Sequence, residues 1–435
     1  MANMNPCILL AFVLLMSTLP TSNAQNQFVK VRSGHFEIGG RPYYFLGTNF
    51  WYGINLGSGG AGGDRQRLLK ELDHLQELGV NNLRIMAASE GPDDQPWRMV
   101  PALQSSPGVY KQELLDGLDY LLAEMGKREM KAVLCLNNFW PWSGGMAQYV
   151  NWFGGKAIPY PPPAEGGDWA RYQLYAIRFY KNEAAKAAFQ DHVRLLIQRH
   201  NSYTGLSYKE DPTIMAWELA NEPRGIIRPS AMQKWIAETA RFIKSLDPHH
   251  LVTVGSEGRT SSRFAGNVFR KDHASPHIDY TTIHIWVQNW GWYDPQHAEK
   301  TFEKACRKAK RYLKKHLRWS SRMGKPLVLE EFGISRDQDD HSPEAPTTYR
   351  DQYYKFMFDE IYRRAVSGAP VAGCNFWAWA GQGRPREPRA IWQPGDDFTG
   401  DPPHEHQGWY SVYDHDHSTL EIIRAYAKKM NELGE

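Results

Sequence analysis

The 435-residue chain is 42% hydrophobic and 23% charged, which is ordinary for a globular protein and ample for a large core. Its formal net charge of +3 is too small to mark a nucleic-acid or membrane-surface partner, and neither is expected. Aromatic residues reach 13%, with 16 Trp, more than a core alone calls for, because every buried indole N–H needs an acceptor.

At the start, residues 7–16 (CILLAFVLLM) form an apolar run too short to span a bilayer, and Ser22-Asn23-Ala24 offers small residues for cleavage. This predicts an export signal over residues 1–24, cut after Ala24, although its leading segment carries no Lys or Arg. Removal of Cys7 leaves Cys135, Cys306 and Cys374, which cannot all pair internally and whose apolar or helical settings predict buried thiols.

From Phe28 onward, short apolar strands alternate with amphipathic helices. The strands are predicted to end at Asn49, Met86, Asn138, Glu222, Glu257, Trp286, Gly333 and Trp379. Nearly continuous apolar runs suit strands with helices on one face and a packed barrel interior on the other. Leucines at helical spacing predict helices over residues 65–78 and 113–125; further helices are expected near 184–199, 230–245, 300–317, 347–366 and 419–432. The unit after Glu257 is weakest, with only a short irregular segment before Tyr280. Residues 304–318 are rich in Lys and Arg, but Ala305, Ala309, Tyr312, Leu313 and Leu317 make an apolar stripe, so the basic residues occupy a solvated helix face. The expected fold is α/β, with residues 25–435 forming one (β/α)8 TIM barrel domain.

Two segments exceed what a connection needs: residues 139–182 after the third strand and 381–416 after the eighth. Both leave from strand C-termini, the face where barrel enzymes build their sites. Trp140, Trp142, Trp152, Trp169, Trp290, Trp292 and Trp409 lie in Pro/Gly-rich loops, where flat apolar faces suit stacking on sugar rings. The second segment also holds Arg384, Arg386, Arg389, Trp392, Asp396 and Asp397; framed by a strand and a helix, it reads as an ordered lid.

Cleaving a glycosidic bond takes two carboxyl groups, one protonated to assist the leaving oxygen and one ionised to attack or to activate water. Glu222, in Asn221-Glu222-Pro223, ends the fourth predicted strand, and Glu331, in Glu330-Glu331-Phe332-Gly333, ends the seventh. Either alone is a weak signal. Together, three βα units apart on one barrel, they are specific. Neighbours on a strand face opposite sides, so Glu330 and Glu331 are not both expected to enter the site. Glu218 reads as a buried structural carboxylate.

The segments WELANEPRG (217–225) and PLVLEEFG (326–333) resemble glycoside hydrolase family 5 in its β-mannan-cleaving branch. FLGTNFWYG, NLRIMAASEGP, LNNFWPWSGGMAQYVNW, IHIWVQNW and NFWAWAG extend the resemblance along the whole mature chain. It implies a retaining hydrolase with Glu222 as acid/base and Glu331 as nucleophile, and settles Glu331 over Glu330 through Glu-Phe-Gly. It also implies substrate-binding roles: Asn221 on the sugar 2-hydroxyl, Arg84 beside the nucleophile, His284 in the site, and Trp377 as platform at subsite −1. Trp140 and Trp409 are expected at the cleft. Trp286 departs from the pattern, since many family members carry Tyr there, bonded to the nucleophile, and an indole cannot accept a hydrogen bond.

The lid points to exo action, a β-mannosidase releasing mannose from mannan or mannooligosaccharide ends; the alternative is an endo-β-1,4-mannanase. A transglycosylase would share the covalent intermediate, and a non-catalytic carbohydrate-binding barrel would not need the glutamate pair. No cofactor is expected. His404, Glu405, His406, Asp414, His415, Asp416 and His417 lack the spacing of a metal motif and read as a loop network or sugar contacts.

Overall fold

The computed structural model describes residues 27–154, 156–260 and 262–435; the expected leader, residues 1–24, lies outside them. Eight parallel strands form the central sheet: β1 (Phe45–Asn49), β2 (Asn82–Met86), β3 (Lys131–Cys135), β4 (Ile214–Glu218), β5 (Leu251–Thr253), β6 (Thr281–Ile285), β7 (Leu327–Phe332) and β8 (Val371–Phe376). Their order is β5-β4-β3-β2-β1-β8-β7-β6, so the sheet rolls up and brings β5 against β6. The helices that follow the strands are α1 (Arg65–Glu77), α2 (Gln112–Lys127), α3 (Glu183–Gln198), α4 (Pro229–Leu246), α5 (Phe269–Asp272), α6 (Ala298–Met323), α7 (Thr348–Val366) and α8 (His417–Glu432). This is the expected (β/α)8 barrel, with α5 as the weak unit.

Local chemistry sets the helix ends. The Asp64 carboxylate accepts from the Arg67 N–H and caps α1; Asn182 does the same for α3 through Ala185; and α6 stops at Gly324, whose left-handed φ of 68° favours glycine. The basic residues of α6 lie opposite a buried stripe of Ala305, Ala309, Tyr312, Leu313 and Leu317, as expected.

The seam between β5 and β6 is closed by hydroxyls. Thr253 Oγ1 donates to the Tyr280 carbonyl (3.1 Å), Thr282 Oγ1 donates to that of Ser256 (3.0 Å), and Ser256 N–H donates to Thr282 Oγ1 (2.7 Å). Backbone bonds from Asp279 N–H to Val252 O (2.8 Å) and from His284 N–H to Glu257 O (3.1 Å) cross it as well.

A feature absent from the sequence reading closes the barrel floor. Lys30–Arg32, His35–Ile38 and Arg41–Pro42 form an antiparallel ribbon, and its Phe36, with the preceding Val29, packs under Phe45, Val133, Met215, Tyr280 and Val328. Each ribbon strand is too short for hydrophobic alternation to register.

Several strands end earlier than expected. The regular ladders stop at Cys135, Glu218, Thr253, Ile285 and Phe376; beyond β3 and β4 the pairing goes on irregularly, through an isolated Asn138↔Asn221 bridge and single backbone bonds. The 139–182 segment is not mere loop: it folds into helices over Gly145–Gly154 and Trp169–Ala176 and a 3-10 turn over Ile177–Lys181. The 381–416 segment is ordered by Asp401, whose carboxylate accepts from Gly408 N–H (2.9 Å), Tyr410 N–H (2.7 Å) and Ser411 Oγ (2.5 Å). Cys135, Cys306 and Cys374 are free and buried.

Candidate active site

Glu222 sits four residues beyond the paired end of β4, on an extension held by Asn221 N–H to Asn137 O and Glu222 N–H to Gly255 O, both 2.9 Å. Its φ of 51° is left-handed, a conformation costing a non-glycine residue about 1–3 kcal/mol and found where surrounding structure enforces it. The enforced turn gives the carboxylate two partners: Trp140 Nε1 donates to Oε2 (2.6 Å), and His284 Nδ1 lies 2.6 Å from Oε1.

Glu331 comes from β7. Its Oε1 receives Arg84 Nη1, and its Oε2 receives the Trp286 indole N–H at 3.2 Å. Trp286 therefore supplies the hydrogen bond that its inability to accept had put in question. The same His284 Nδ1 stands 3.2 Å from Glu331 Oε2. One oxygen each of Glu222 and Glu331 and one nitrogen of His284 all lie within 4.8 Å of one another. Inverting enzymes separate their carboxyls by roughly 6.5–9.5 Å to admit a water; this spacing is on the short, retaining side.

Alternation does not hold at this strand. Pairing of β6 with β7 steps from Ile283↔Leu329 to His284↔Glu331, so Glu330 is the extra residue of a bulge. Both glutamates consequently turn inward: Glu331 to the mouth, Glu330 beneath it with Oε2 3.6 Å from His284 Nε2.

Arg84, rising from β2, uses all five of its N–H donors. Nε and Nη2 grip Glu218 (2.8 and 2.5 Å), Nη2 also reaches Asn221 Oδ1 (2.8 Å), and Nη1 serves Asn49 Oδ1 (3.0 Å) and Glu331. Burial works against its charge, but Glu218 and Glu331 outweigh that and hold its pKa well above the usual value. His284, wholly buried, is likewise pushed up: desolvation opposes its charge, and Glu331, Glu222 and Glu330 overcome it. Glu218 is the structural carboxylate expected.

Above the pair opens a cleft of about 800 Å³, within the range of small-ligand sites. Its floor and walls carry Trp140, Trp142, Trp169, Trp286, Trp290, Trp377 and Trp409. Ile391, Pro402, His404, Glu405, His406 and Tyr410 of the 381–416 segment form one side.

The family model described as GH family 5 beta-mannosidase-like matches residues 26–435. The chain belongs to this family. The enzyme is thus a glycoside hydrolase working by retaining double displacement. It is similar to a glycoside hydrolase family 5 mannosidase from Rhizomucor miehei, at 40% identity and a TM-score of 0.87 over 94% of this chain and 99% of that one. It is also similar to mannan endo-1,4-beta-mannosidase 5 of Solanum lycopersicum, 30% identical over 87% of this chain and 89% of that protein. An endo-beta-1,4-mannanase from Thermotoga petrophila superimposes with a TM-score of 0.65 at 27% identity, covering 90% of this chain and 78% of that one.

Within this family 5 enzyme, the residues singled out from sequence fall into two groups. Glu222, Glu331, Asn221, Trp140, Trp286, Trp377 and Trp409 line the cleft. Arg84 and His284 do not: at 4% and 0% exposure they lie beneath the carboxylates, with Arg84's donors spent on protein, so they hold the site rather than touch a sugar. Trp152 and Trp292 also stay outside, packed on Tyr149 and on Trp290 with Tyr312. The sequence reading missed Arg224, which grips Glu257 (2.7 and 2.8 Å) and lies over the Trp140 ring at 4.7 Å, and Asn289, held by the Tyr410 hydroxyl (2.6 Å). The Asn-Glu-Pro-Arg run was the available signal for Arg224, and the IHIWVQNW segment that for Asn289. The acidic and histidine residues of the lid disperse. Asp414 pairs with Arg384, Asp416 with Arg336 and Arg350, while His404, Glu405 and His406 face the cleft.

Proposed function

We propose that the enzyme hydrolyses β-1,4-mannosidic bonds from chain ends, releasing mannose from mannan or mannooligosaccharides, with Glu222 as acid/base and Glu331 as nucleophile. The observation that carries the roles is the contrast in partners. Glu331 is gripped by the Arg84 guanidinium, which favours the ionised form needed for attack. Glu222 instead meets the Trp140 indole N–H and, at 2.6 Å, the His284 ring, a partner with which it can exchange a proton. Attack by Glu331 on the anomeric carbon breaks its bond to the leaving oxygen, which takes the Glu222 proton; water, deprotonated by Glu222, then releases the sugar. Asn221 and Trp377 both line the cleft, which supports the roles on the sugar's 2-hydroxyl and apolar face that the resemblance implies.

Exo action is supported by the lid. Glu405 hangs from it into the cleft, its pKa pushed well above the carboxylate range by enclosure and by the charges of Asp401, Glu331 and Glu222. A protonated carboxyl there can donate to a terminal sugar's hydroxyl. The endo reading draws on the names of the tomato and Thermotoga relatives. A product time course on linear mannan and mannohexaose tests this: mannose from the earliest points with slow viscosity loss is expected, and rapid viscosity loss would assign an endo-mannanase. Glu222→Ala and Glu331→Ala should both abolish turnover. Export is part of the same proposal, and an intact Met1 on secreted protein would contradict it.

A further inference from the structure

His284 has a second face. Its Nε2 is buried with no hydrogen-bond partner, and so are both carboxylate oxygens of Glu330 and the Tyr280 hydroxyl. At 3.6 Å, Nε2 and Glu330 Oε2 are just beyond hydrogen-bond reach. The ionisable groups facing Glu330 are Glu218 from β4, Arg84 from β2, Tyr280 just before β6, His284 on β6, and its neighbour Glu331. Arg84 has no N–H left for it. Burial and the Glu218 charge push the Glu330 pKa up to about 7, with His284 and Arg84 pulling the other way.

The other end of the ring fixes what this carboxyl can do. An indole N–H only donates, so Glu222 Oε2, facing Trp140 Nε1, is an acceptor, and a proton resident on Glu222 sits on Oε1. Oε1 faces His284 Nδ1 at 2.6 Å, so ring and carboxylate contend for one proton. An ionised Glu330 at Nε2 favours its residence on the ring; a neutral group there leaves it on Glu222.

We propose that Glu330 is a positioning residue for hydrolysis, acting through His284 to divide that proton between the imidazole and Glu222. Nothing is gained or lost overall: the proton on Nδ1 passes to Oε1, and the ring's positive charge and the carboxylate's negative charge vanish together. The proposal rests on the acid/base role of Glu222, which Glu222→Ala tests separately.

The experiment compares kcat/KM against pH for wild type, Glu330→Gln and Glu330→Asp on mannotriose, a substrate for exo or endo action. In Glu330→Gln the neutral ring removes a positive charge beside both catalytic carboxylates, so both limbs of the profile should move to higher pH by about one unit. Glu330→Asp should move them less, in the same direction. In ¹⁵N spectra at pH 8, where Glu330 is ionised, the His284 ring should be doubly protonated in wild type and singly protonated in Glu330→Gln. Superimposable profiles, or a fall in kcat at every pH with unmoved limbs, overturn the proposal. If Glu330→Gln does not fold, the Glu330→Asp profile and the wild-type ring spectrum decide, and a neutral ring in wild type at pH 8 refutes it.

Discussion

Replacing Arg84 by lysine keeps the buried positive charge and removes the planar fork that distributes it. Five N–H groups now serve Glu218, Glu331, Asn221 and Asn49. An ammonium offers three donors from one point and cannot span the Nε and Nη2 positions that hold both Glu218 oxygens. Charge-assisted bonds are worth about 1.5–3 kcal/mol each, so losing two while retaining the charge should destabilise the enzyme by about 3 kcal/mol. That is survivable against a typical folding free energy of about 5–15 kcal/mol. Guanidinium unfolding followed by tryptophan fluorescence measures the loss. Because Glu331 is also released from its anchor, kcat/KM should fall about 100-fold, the usual consequence of a misplacement near 1 Å. Destabilisation below about 0.5 kcal/mol, the level of ordinary surface substitutions, would refute the claim that this network holds the site.

Trp286→Phe retains an aromatic ring over Trp377 but deletes the 3.2 Å donor to Glu331, so kcat should drop about fivefold to tenfold with KM little changed. A larger effect on KM than on kcat would assign Trp286 to sugar binding instead. At the barrel floor, burial pushes the Asp247 pKa up, but His250 and Trp217 Nε1 hold it down to about 2, from 3.8. A carboxylate with a depressed pKa stabilises the fold above pH 3.8 and loses that contribution as pH falls through about 2. Asp247→Asn should therefore cost about 2 kcal/mol at pH 7, with the difference fading in acid; a cost independent of pH would show that geometry, not charge, is lost.

Most of the barrel was legible because its strands are apolar enough to betray themselves one by one. Asn49 and Met86 end β1 and β2 as read, since nothing irregular follows them in the ladder. Glu222 does not end a regular strand, because beyond Glu218 the pairing turns irregular and closes in a left-handed turn that composition does not encode. Glu330 was expected to face away. The bulge that turns it inward depends on the register of β7 against β6, a relation between segments some 45 residues apart. Arg84 and His284 were correctly associated with the carboxylates, yet only packing shows that they lie under them. The N-terminal ribbon went unread because its strands are two to four residues long and the residues it buries deeply, Val29 and Phe36, find their partners across the whole barrel.

The hydroxyl-closed seam has a mechanical consequence. The rolled sheet has two lips, and the proposed catalytic residues ride one strand in from each: Glu222 beyond β4, beside β5, and Glu331 on β7, beside β6. Any breathing of the barrel at that join changes the gap between donor and attacker before it changes anything else. The clasp across it is the 2.6 Å contact between His284 on β6 and Glu222, reinforced by His284 N–H on the Glu257 carbonyl at 3.1 Å. The residue that helps close the cylinder, His284, is thus also the one that touches both carboxylates.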